Sequence, residues 1–139
     1  MKASLTPGLT HELRFVVTAS KTVPALYPEA PEFVEMPAVF ATGFMVGMVE
    51  WACIRAIGTH LEPGELTVGV HVDLSHSAAT PVGMEVVARV RLEEVDGRRL
   101  IFRAEVDDER DRICEGRHQR FVIDRARFET GVERKRTGA

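Results

Sequence analysis

The sequence predicts an α+β protein in which a curved, antiparallel sheet of five strands wraps around one long apolar helix. The first observation is the stretch 38–54, AVFATGFMVGMVEWACI, in which Glu50 is the single charged side chain. The second is the alternation of apolar and polar residues that follows it, interrupted by turn-forming residues. Because a helix that is apolar nearly all round needs cover on several sides, a sheet that curves around it is the economical arrangement.

The composition fits one domain that spans all 139 residues. Apolar residues make up 45% of the chain and charged residues 28%, the usual proportions for a globular protein. The formal net charge of −3 gives no field that favours nucleic acid or an anionic membrane. No window reaches the roughly 18 apolar residues that a membrane span needs, because Glu50 and Arg55 interrupt the best one. Since the N-terminus also lacks a signal-peptide pattern, we expect a cytoplasmic protein.

A first strand and a proline-rich segment precede the helix. Residues 11–19, HELRFVVTA, have the β-branched content and flanking turn residues of a strand. Residues 22–37 contain four prolines, so we expect no regular structure there beyond one helical turn at 23–27. A long irregular segment inside a compact domain is usually a lid or a binding loop. Its aromatic residues Tyr27 and Phe33 are then expected to cover an apolar pocket.

One helix and four strands follow the proline-rich segment. The helix is expected from about Thr42, a fair N-cap residue, to His60, because Glu62-Pro63-Gly64 ends it. The strands are expected at 66–74, 84–95, 99–106 and 113–123. The first of these strands has apolar residues at every even position, which predicts one buried face. Asp96-Gly97 is a strong hairpin signal, and the polar residues 124–139 are expected to end in a short or frayed helix.

The hairpin connections make the predicted sheet largely antiparallel. One strand, a lid-like segment, one long helix and a four-stranded meander together correspond to the hot-dog fold. In that fold two sheets usually join edge to edge, and the dimer seam carries the active site. We therefore expect a homodimer, because an open sheet leaves edge strands that pair readily across a two-fold axis.

Glu50 is the strongest candidate for a functional residue. The small or apolar residues at helical spacing around it are Val46, Gly47, Cys53 and Ile54. A carboxylate in such surroundings loses several kcal/mol of solvation unless it is paired, protonated or used in chemistry. Thr42 lies eight positions earlier, roughly two helical turns away, and can border the same pocket. The alternative is a structural acid that reaches solvent or meets an arginine across the core.

Of the five histidines, His76 is the candidate for catalysis. It lies just beyond a predicted strand, in the loop SHSAATPVG, and catalytic groups often occupy such positions. Together with His71 and Asp73 it spells H-x-D-x-x-H, but this is not a recognised ligand spacing and lacks a fourth ligand, so we expect no metal. The remaining three are expected at the surface: His11, His60 and His118.

Three segments resemble the fluoroacetyl-coenzyme A thioesterase family of the hot-dog superfamily. They are TVPALYPEAPEF at 22–33, VFATGFMVGMVEWAC at 39–53 and SHSAATPVG at 75–83. The resemblance covers nearly the whole chain, from about Phe15 to Phe128, and the helix motif is far more specific than a general hot-dog pattern. It implies hydrolysis of short-chain acyl-coenzyme A (acyl-CoA) thioesters, with fluoroacetyl-CoA as a candidate substrate. Because this reaction needs no metal and no redox cofactor, we expect neither.

The resemblance also implies roles for individual residues. The catalytic set of the family corresponds here to Thr42, Glu50 and His76. Its substrate-binding positions correspond to Gly69 near the substrate carbonyl, Arg120 on the last strand, and Phe33 and Met36 in the lid. The family has a phenylalanine where this chain has Met36, so we expect a weaker preference for the fluorinated substrate.

Thioester hydrolysis needs an attacking oxygen, a base and donors for the developing oxyanion. Glu50 can act as base or as nucleophile, Thr42 can position water or the substrate, and His76 can orient either of them or protonate the leaving thiolate. Whether an acyl-enzyme forms stays open. Two alternative functions also stay open: an enoyl-CoA hydratase that uses a similar pair of acid and histidine, and a non-catalytic acyl-thioester binding protein.

Overall fold

The computed structural model describes residues 1–138 of the chain. These residues contain five strands and four helices, joined by turns and loops. The strands are β1 (Thr10–Val16), β2 (Glu65–Leu74), β3 (Glu85–Asp96), β4 (Arg99–Asp107) and β5 (Arg112–Asp124). The helices are α1 (Val23–Leu26), α2 (Pro31–Val34), α3 (Thr42–Ile57) and α4 (Arg125–Thr137). Short 3-10 turns lie at Ala19–Lys21 and Gly58–His60, so the predicted long helix ends three residues early and continues as a tighter turn.

The strands form one antiparallel sheet in the order β1-β3-β4-β5-β2. The meander β3–β4–β5 occupies the middle, and β1 and β2 are the two edge strands. Helix α3 packs across the inner face of this sheet, mainly against β3 and β1. The predicted α+β architecture, a five-stranded antiparallel sheet around one long helix, is confirmed.

The core lies between α3 and the inner face of the sheet. The buried residues of α3 are Met45, Met48, Val49, Ala52, Cys53, Ala56 and Ile57. They meet alternate residues of the central strands, among them Val86, Ala88, Val90, Leu92, Leu100, Phe102, Ala104 and Val106. Helix α3 is not covered all round within one chain, because Gly47, Trp51 and Ile54 on its other side are exposed. One apolar face of the long helix is therefore left at the surface.

A bulge at Val70 interrupts β2, so this strand does not keep the alternation that its sequence predicts. Gly69 pairs with Arg120, but the next paired residue on β2 is His71, and Val72 pairs with His118. The extra residue shifts the phase of the strand by one position. The apolar residues before the bulge thus lie on the outer face of the sheet, and those after it lie on the inner face. The predicted single buried face of β2 is wrong for this reason.

The proline-rich segment contains two single helical turns rather than the one predicted. Each of α1 and α2 has a proline at its first or second position, where the missing N–H breaks no helical bond. An isolated bridge between Thr22 and Phe40 closes the segment into a loop whose two ends lie side by side. Leu26 of α1 rests above Gly43, where a β-carbon would lie 3.4 Å from the Leu26 side chain. The segment therefore covers the start of α3, as expected of a lid.

The polar C-terminal residues form α4 on the outside of the sheet. The Asp124 carboxylate caps the helix by accepting a hydrogen bond from the backbone N–H of Arg127, and Gly138 ends it in a left-handed conformation. None of its residues is buried. Over residues 1–138, every helix is too short or too polar to cross a membrane.

Candidate active site

Thr42 and His76 form a hydrogen-bonded pair at the start of α3. Thr42 Oγ1 and His76 Nδ1 lie 2.7 Å apart. Ala41, rather than Thr42, occupies the N-cap and has no side chain that can cap the helix, so the Thr42 hydroxyl is available for the histidine. His76 is held in place because the N–H groups of its neighbours Ser75 and Ser77 both donate to backbone carbonyls of β5. The predicted loop position of His76 is thus a well-anchored extension of the sheet.

The surroundings of His76 favour its neutral form. Burial lowers the pKa of the imidazole below its usual value. Within residues 1–138 its Nε2 atom is buried without a hydrogen-bond partner. A neutral imidazole whose Nδ1 accepts from the Thr42 hydroxyl can take the proton of that hydroxyl, or orient it. A cavity of about 260 Å³ opens beside the pair, lined by Val23, Val39 and Phe40 from the base of the lid and by residues 76–79.

Glu50 is paired with Arg120, 70 residues later in the chain. Arg120 Nη1 donates to Glu50 Oε2 at 2.8 Å. The arginine is almost completely buried, with 3% of its surface exposed, whereas the Glu50 side chain is 39% exposed. Glu50 Oε1 has no partner among the described residues and is free to contact water or a substrate. The alternative that the sequence left open, an ion pair between Glu50 and an arginine across the core, is therefore present in the fold. This ion pair leaves the second carboxylate oxygen of Glu50 available for chemistry.

Two residues besides Glu50 hold the Arg120 guanidinium: Thr67, through its side chain and its backbone, and His118. Nε donates to Thr67 Oγ1 at 2.9 Å, and Nη2 donates to the Thr67 backbone oxygen at 2.9 Å. Nη1 also contacts His118 Nε2 at 3.1 Å. These contacts and the bond to Glu50 use four of the five N–H groups of an arginine. One N–H, on Nη2, has no partner among residues 1–138.

Gly69 lies on β2 directly below the Glu50 carboxylate. A β-carbon at this position would lie 2.9 Å from Glu50 Oε2, 3.3 Å from His118 Cε1 and 3.4 Å from Arg120 Nη1. Only glycine therefore lets the ion pair sit this close to the strand. The fold thus brings the predicted residues Gly69, Glu50 and Arg120 into one cluster.

His118 belongs to this cluster, although the sequence predicts a surface position for it. The structure buries His118 completely, on the inner face of β5. The prediction is wrong because the neighbouring arginines suggest a solvated strand end. The alternation of β5 contains the missed signal, since His118 and Arg120 have the same parity as the apolar Val122 and so share its face.

The predicted site residues fall into two clusters within one chain, with the lid pair apart from both. Thr42 and Glu50 are separated by eight residues of helix, or roughly 12 Å along its axis. In the lid, the rings of Phe33 and Tyr27 are in contact, with centroids 5.3 Å apart. Met36 follows α2, is 51% exposed and does not line the cavity beside Thr42.

Other reactive side chains are poorly placed for catalysis or metal binding. Cys53 and Cys114 are both free and buried, and burial raises the pKa of both thiols, that of Cys114 to about 11. Neither is thus a thiolate near neutral pH. His71 and Asp73 are exposed on β2. Within residues 1–138, no group of three or more histidine, cysteine or acidic side chains is arranged to hold a metal ion.

The comparisons with known proteins agree on one family. The family model described as fluoroacetyl-CoA-specific thioesterase (FlK) matches residues 17–126. A fluoroacetyl-CoA thioesterase from Streptantibioticus cattleyicolor is 50% identical over 126 residues, which cover 91% of this chain and 89% of that protein. A threonine-to-serine mutant of FlK, solved in complex with acetyl-CoA, has a TM-score of 0.92 at 46% identity and covers 94% of this chain and 98% of its own.

A more distant solved structure extends the likeness to the superfamily. This protein from Thermus thermophilus, a member of the thioesterase superfamily, has a TM-score of 0.86 at 29% identity, with 97% of this chain and 96% of that chain covered. The resemblance stated from the sequence is thereby confirmed. The protein is a hot-dog thioesterase and belongs to the fluoroacetyl-CoA-specific thioesterase family.

Proposed function

We propose that this acyl-CoA thioesterase hydrolyses short-chain acyl-CoA thioesters, fluoroacetyl-CoA among them, with Thr42, Glu50 and His76 as its catalytic residues. The observation that carries the proposal is the 2.7 Å contact between Thr42 Oγ1 and His76 Nδ1 beside a cavity. A hydroxyl that is hydrogen-bonded to a neutral imidazole can be deprotonated or oriented by it, which suits the hydroxyl oxygen for chemistry at a carbonyl carbon. The relatives that share most of the chain are named for this reaction.

The start of α3 supplies donors for the oxyanion. The first helical hydrogen bond runs from the Met45 N–H to the Ala41 carbonyl, so the N–H groups of Thr42, Gly43 and Phe44 have no partner within the helix. A thioester carbonyl oxygen at this end would meet free N–H groups and the positive end of the helix dipole. Stabilisation of a developing oxyanion is usually the largest single contribution to acyl-transfer catalysis.

The proposed reaction adds a water oxygen to the thioester carbonyl, and the carbon–sulfur bond then breaks. Glu50 acts as the base that takes a proton from this water, or as a nucleophile that water later displaces. Thr42 holds the water or the substrate. His76 orients Thr42, or takes the second proton of the added water through the Thr42 hydroxyl and passes it to the departing CoA thiolate. The carboxylate and the CoA thiol then leave, and Glu50 releases its proton to solvent. Each step moves only protons and the acyl group, so the reaction needs no cofactor.

We propose that a homodimer completes the site. Strand β2 is an edge strand whose outer side has no pairing partner among residues 1–138. It has exposed apolar residues at Leu66, Val70 and Val72, and such an edge is a template for pairing with a second copy. The uncovered face of α3 at Gly47 and Ile54 offers further apolar surface. Pairing of β2 with its copy would bring residues of the partner between the two clusters, which lie roughly 12 Å apart along the helix.

Two pairs of residues are proposed to bind the acyl group of the substrate. We propose that Gly69 and Arg120 border the acyl group beside Glu50, because one N–H of Arg120 has no partner among residues 1–138 and Gly69 places no side chain against the Glu50 carboxylate. Phe33 and Met36 would close over the acyl group from the lid.

We also propose that residues 1–139 form a single catalytic domain and that the enzyme works in the cytoplasm. Cys53 and Cys114 are both free, as is usual for proteins of reducing compartments.

The test measures release of free CoA thiol by the purified protein from acetyl-CoA, fluoroacetyl-CoA and longer acyl chains. We expect turnover with short chains and a large loss in Thr42→Val, which keeps the shape of the side chain without its hydroxyl. A change of enoyl absorbance without thiol release would instead identify a hydratase. Saturable binding with neither signal would identify a binding protein.

A further inference from the structure

We propose that His118 is a positioning residue, whose neutral imidazole fixes the Arg120 guanidinium and, through it, the Glu50 carboxylate. The inference rests on the proposed catalytic role of Glu50 and extends it by one residue. His118 acts through Arg120 in this proposal, because it is completely buried on the inner face of β5 and its Nε2 lies 3.1 Å from Arg120 Nη1.

The two hydrogen bonds of His118 define a single tautomer. Nδ1 lies 2.8 Å from the backbone oxygen of His71, and a carbonyl oxygen can only accept, so Nδ1 carries the proton. Nε2 lies 3.1 Å from Arg120 Nη1, and a guanidinium can only donate, so Nε2 is the acceptor. Both partners therefore require the neutral imidazole. Burial lowers the pKa of His118 and acts in the same direction.

The acceptor atom Nε2 of His118 provides the last of the hydrogen bonds that hold the Arg120 guanidinium in place. The two N–H groups of Nη1 go to Glu50 and to His118, while Nε and Nη2 donate to Thr67. A planar group held at all three nitrogens has one position and one orientation. If the acceptor at position 118 is lost, one N–H of a side chain that is only 3% exposed loses its partner, and solvent has little access to replace it.

The position of Glu50 depends on this anchor. Arg120 is its only hydrogen-bond partner among the described residues, and the Glu50 side chain is otherwise 39% exposed. The position of a carboxylate that has one hydrogen-bond partner and is otherwise exposed is set by the position of that partner. A guanidinium that rotates in its pocket would therefore carry Glu50 Oε1 away from the place where it meets water or the acyl carbon, and catalysis is sensitive to such displacements.

Two conservative variants separate positioning from packing. In His118→Gln, the side-chain oxygen lies near the position of Nε2 and can accept from Arg120. In His118→Asn, the amide nitrogen lies near the position of Nδ1 and can donate to the His71 carbonyl, but nothing reaches Arg120. Both remove the same ring. A third variant, His60→Asn, is the control, because His60 contacts Ser4 outside the site.

We expect kcat within about 3-fold of wild type in His118→Gln and at least about 10-fold lower in His118→Asn, with KM changed less than kcat. Both variants should lose similar thermal stability, and the control should keep wild-type kcat. Equal kcat in the two variants would overturn the proposal and leave His118 as a residue that fills the core.

Nitrogen NMR of the wild-type protein tests the tautomer without any use of activity. Near pH 7 we expect His118 to show a protonated Nδ1 and an unprotonated Nε2, and a charged imidazolium or the other tautomer would overturn the proposal. Arg120 side-chain N–H signals should persist in His118→Gln and broaden in His118→Asn. If wild type releases no thiol from any acyl-CoA, the proposed function fails, and these signals still decide whether His118 positions Arg120.

Discussion

Glu50 has two roles in this fold, as the ionic partner of Arg120 and as a catalytic candidate, and a substitution affects both. Loss of one partner of a buried ion pair typically costs about 3–5 kcal/mol, and less where one side chain reaches solvent, as Glu50 does here. A glutamine at this position keeps an oxygen that can accept from Arg120. It removes only the charge and the basicity.

We therefore expect Glu50→Gln to lower kcat by on the order of 100-fold or more, with a melting temperature within about 5 °C of wild type. Thiol release and thermal unfolding measure the two quantities. Glu94→Gln is the matched control, because Glu94 is exposed and lies on β3 away from both clusters. Wild-type turnover in Glu50→Gln would mean that the ion pair with Arg120 is the whole role of this acid.

The protonation of His76 sets the acid limit of activity. His76 must be neutral to accept from the Thr42 hydroxyl, and burial lowers its pKa below the ordinary value of about 6.5. We expect kcat/KM to fall on the acid side with a midpoint below that value, because this parameter reports the free enzyme. A midpoint at or above the ordinary histidine pKa would contradict the assignment.

The lowered pKa of His76 also makes the stability of the fold depend on pH. The unfolded chain binds a proton at His76 at higher pH than the folded chain does, so the histidine contributes stability above about pH 6.5 that is lost as pH falls through the folded pKa. His118, whose pKa is also lowered by burial, acts in the same sense. Melting temperatures between pH 5 and 8 should therefore decline toward acid, and less steeply in His76→Gln.

At the scale of elements, the lid combines rigid ends with an exposed middle. Its ends are joined by the bridge between Thr22 and Phe40, and Leu26 rests on the start of α3. Phe33 packs against Tyr27, whereas Met36 is half exposed just after α2. Methionine is flexible and fills irregular gaps, so it presents a softer wall to a small acyl group than phenylalanine does.

We expect Met36→Phe to raise the ratio of kcat/KM for fluoroacetyl-CoA to that for acetyl-CoA, by several-fold, because differences of this size in an apolar pocket are worth about 1–3 kcal/mol. Thiol release with both substrates gives the ratio. Val34→Phe is the control, since Val34 is the last residue of α2, two positions before Met36, and is 50% exposed against 51% for Met36. A ratio that stays unchanged in Met36→Phe would remove this residue from the selectivity filter.

The sequence predicts the elements well because their signals are local. Alternation and turn residues placed β3, β4 and β5 within one or two residues of their observed bounds, and the apolar stretch around Glu50 placed α3. The bulge at Val70 was missed because it depends on the register with β5, which is 50 residues away. The burial of His118 was missed because the charges of Arg117 and Arg120 suggest a solvated strand, although the alternation of β5 places His118 on the same face as Val122.

The candidate site was predictable only in part. The isolated acid Glu50 stands out on physical grounds alone, and the loop position of His76 raises its weight. The roles of Thr42, Gly69 and Arg120 came from the family resemblance. No local pattern could join Glu50 to Arg120 or Thr42 to His76, since each pair is made by the tertiary fold.

At the scale of the whole molecule, the two edges of the sheet differ in character. Strand β1 carries charged residues such as Glu12 and Arg14, whereas β2 exposes the apolar side chains of Leu66, Val70 and Val72. Charged edge strands resist pairing with another chain, and apolar ones invite it. The proposed dimer therefore has one favoured edge.

We expect Val70→Lys to convert a dimer to a monomer and to abolish most thiol release, because a charge in the pairing edge opposes association. Val16→Lys is the matched control, since Val16 is 49% exposed and Val70 46%, but on opposite edges. Light scattering at micromolar concentration, together with turnover, distinguishes them. A wild-type protein that is monomeric and fully active would contradict the dimeric site.

The edge position of β2 also determines the order in which the chain can assemble. The strands of the meander β3–β4–β5 are joined by short turns and can pair early. Strand β2 can pair only after β5 has formed, and Glu50 can form its ion pair only with an arginine 70 residues further along the chain. Contacts between distant residues form late because the entropy of closing the intervening loop is lost first. In pulse-labelled hydrogen exchange, amides of the meander should become protected before those of β2. The Glu50–Arg120 pair then forms in the last step of folding of one chain, before the proposed dimer completes the site and thiol release returns.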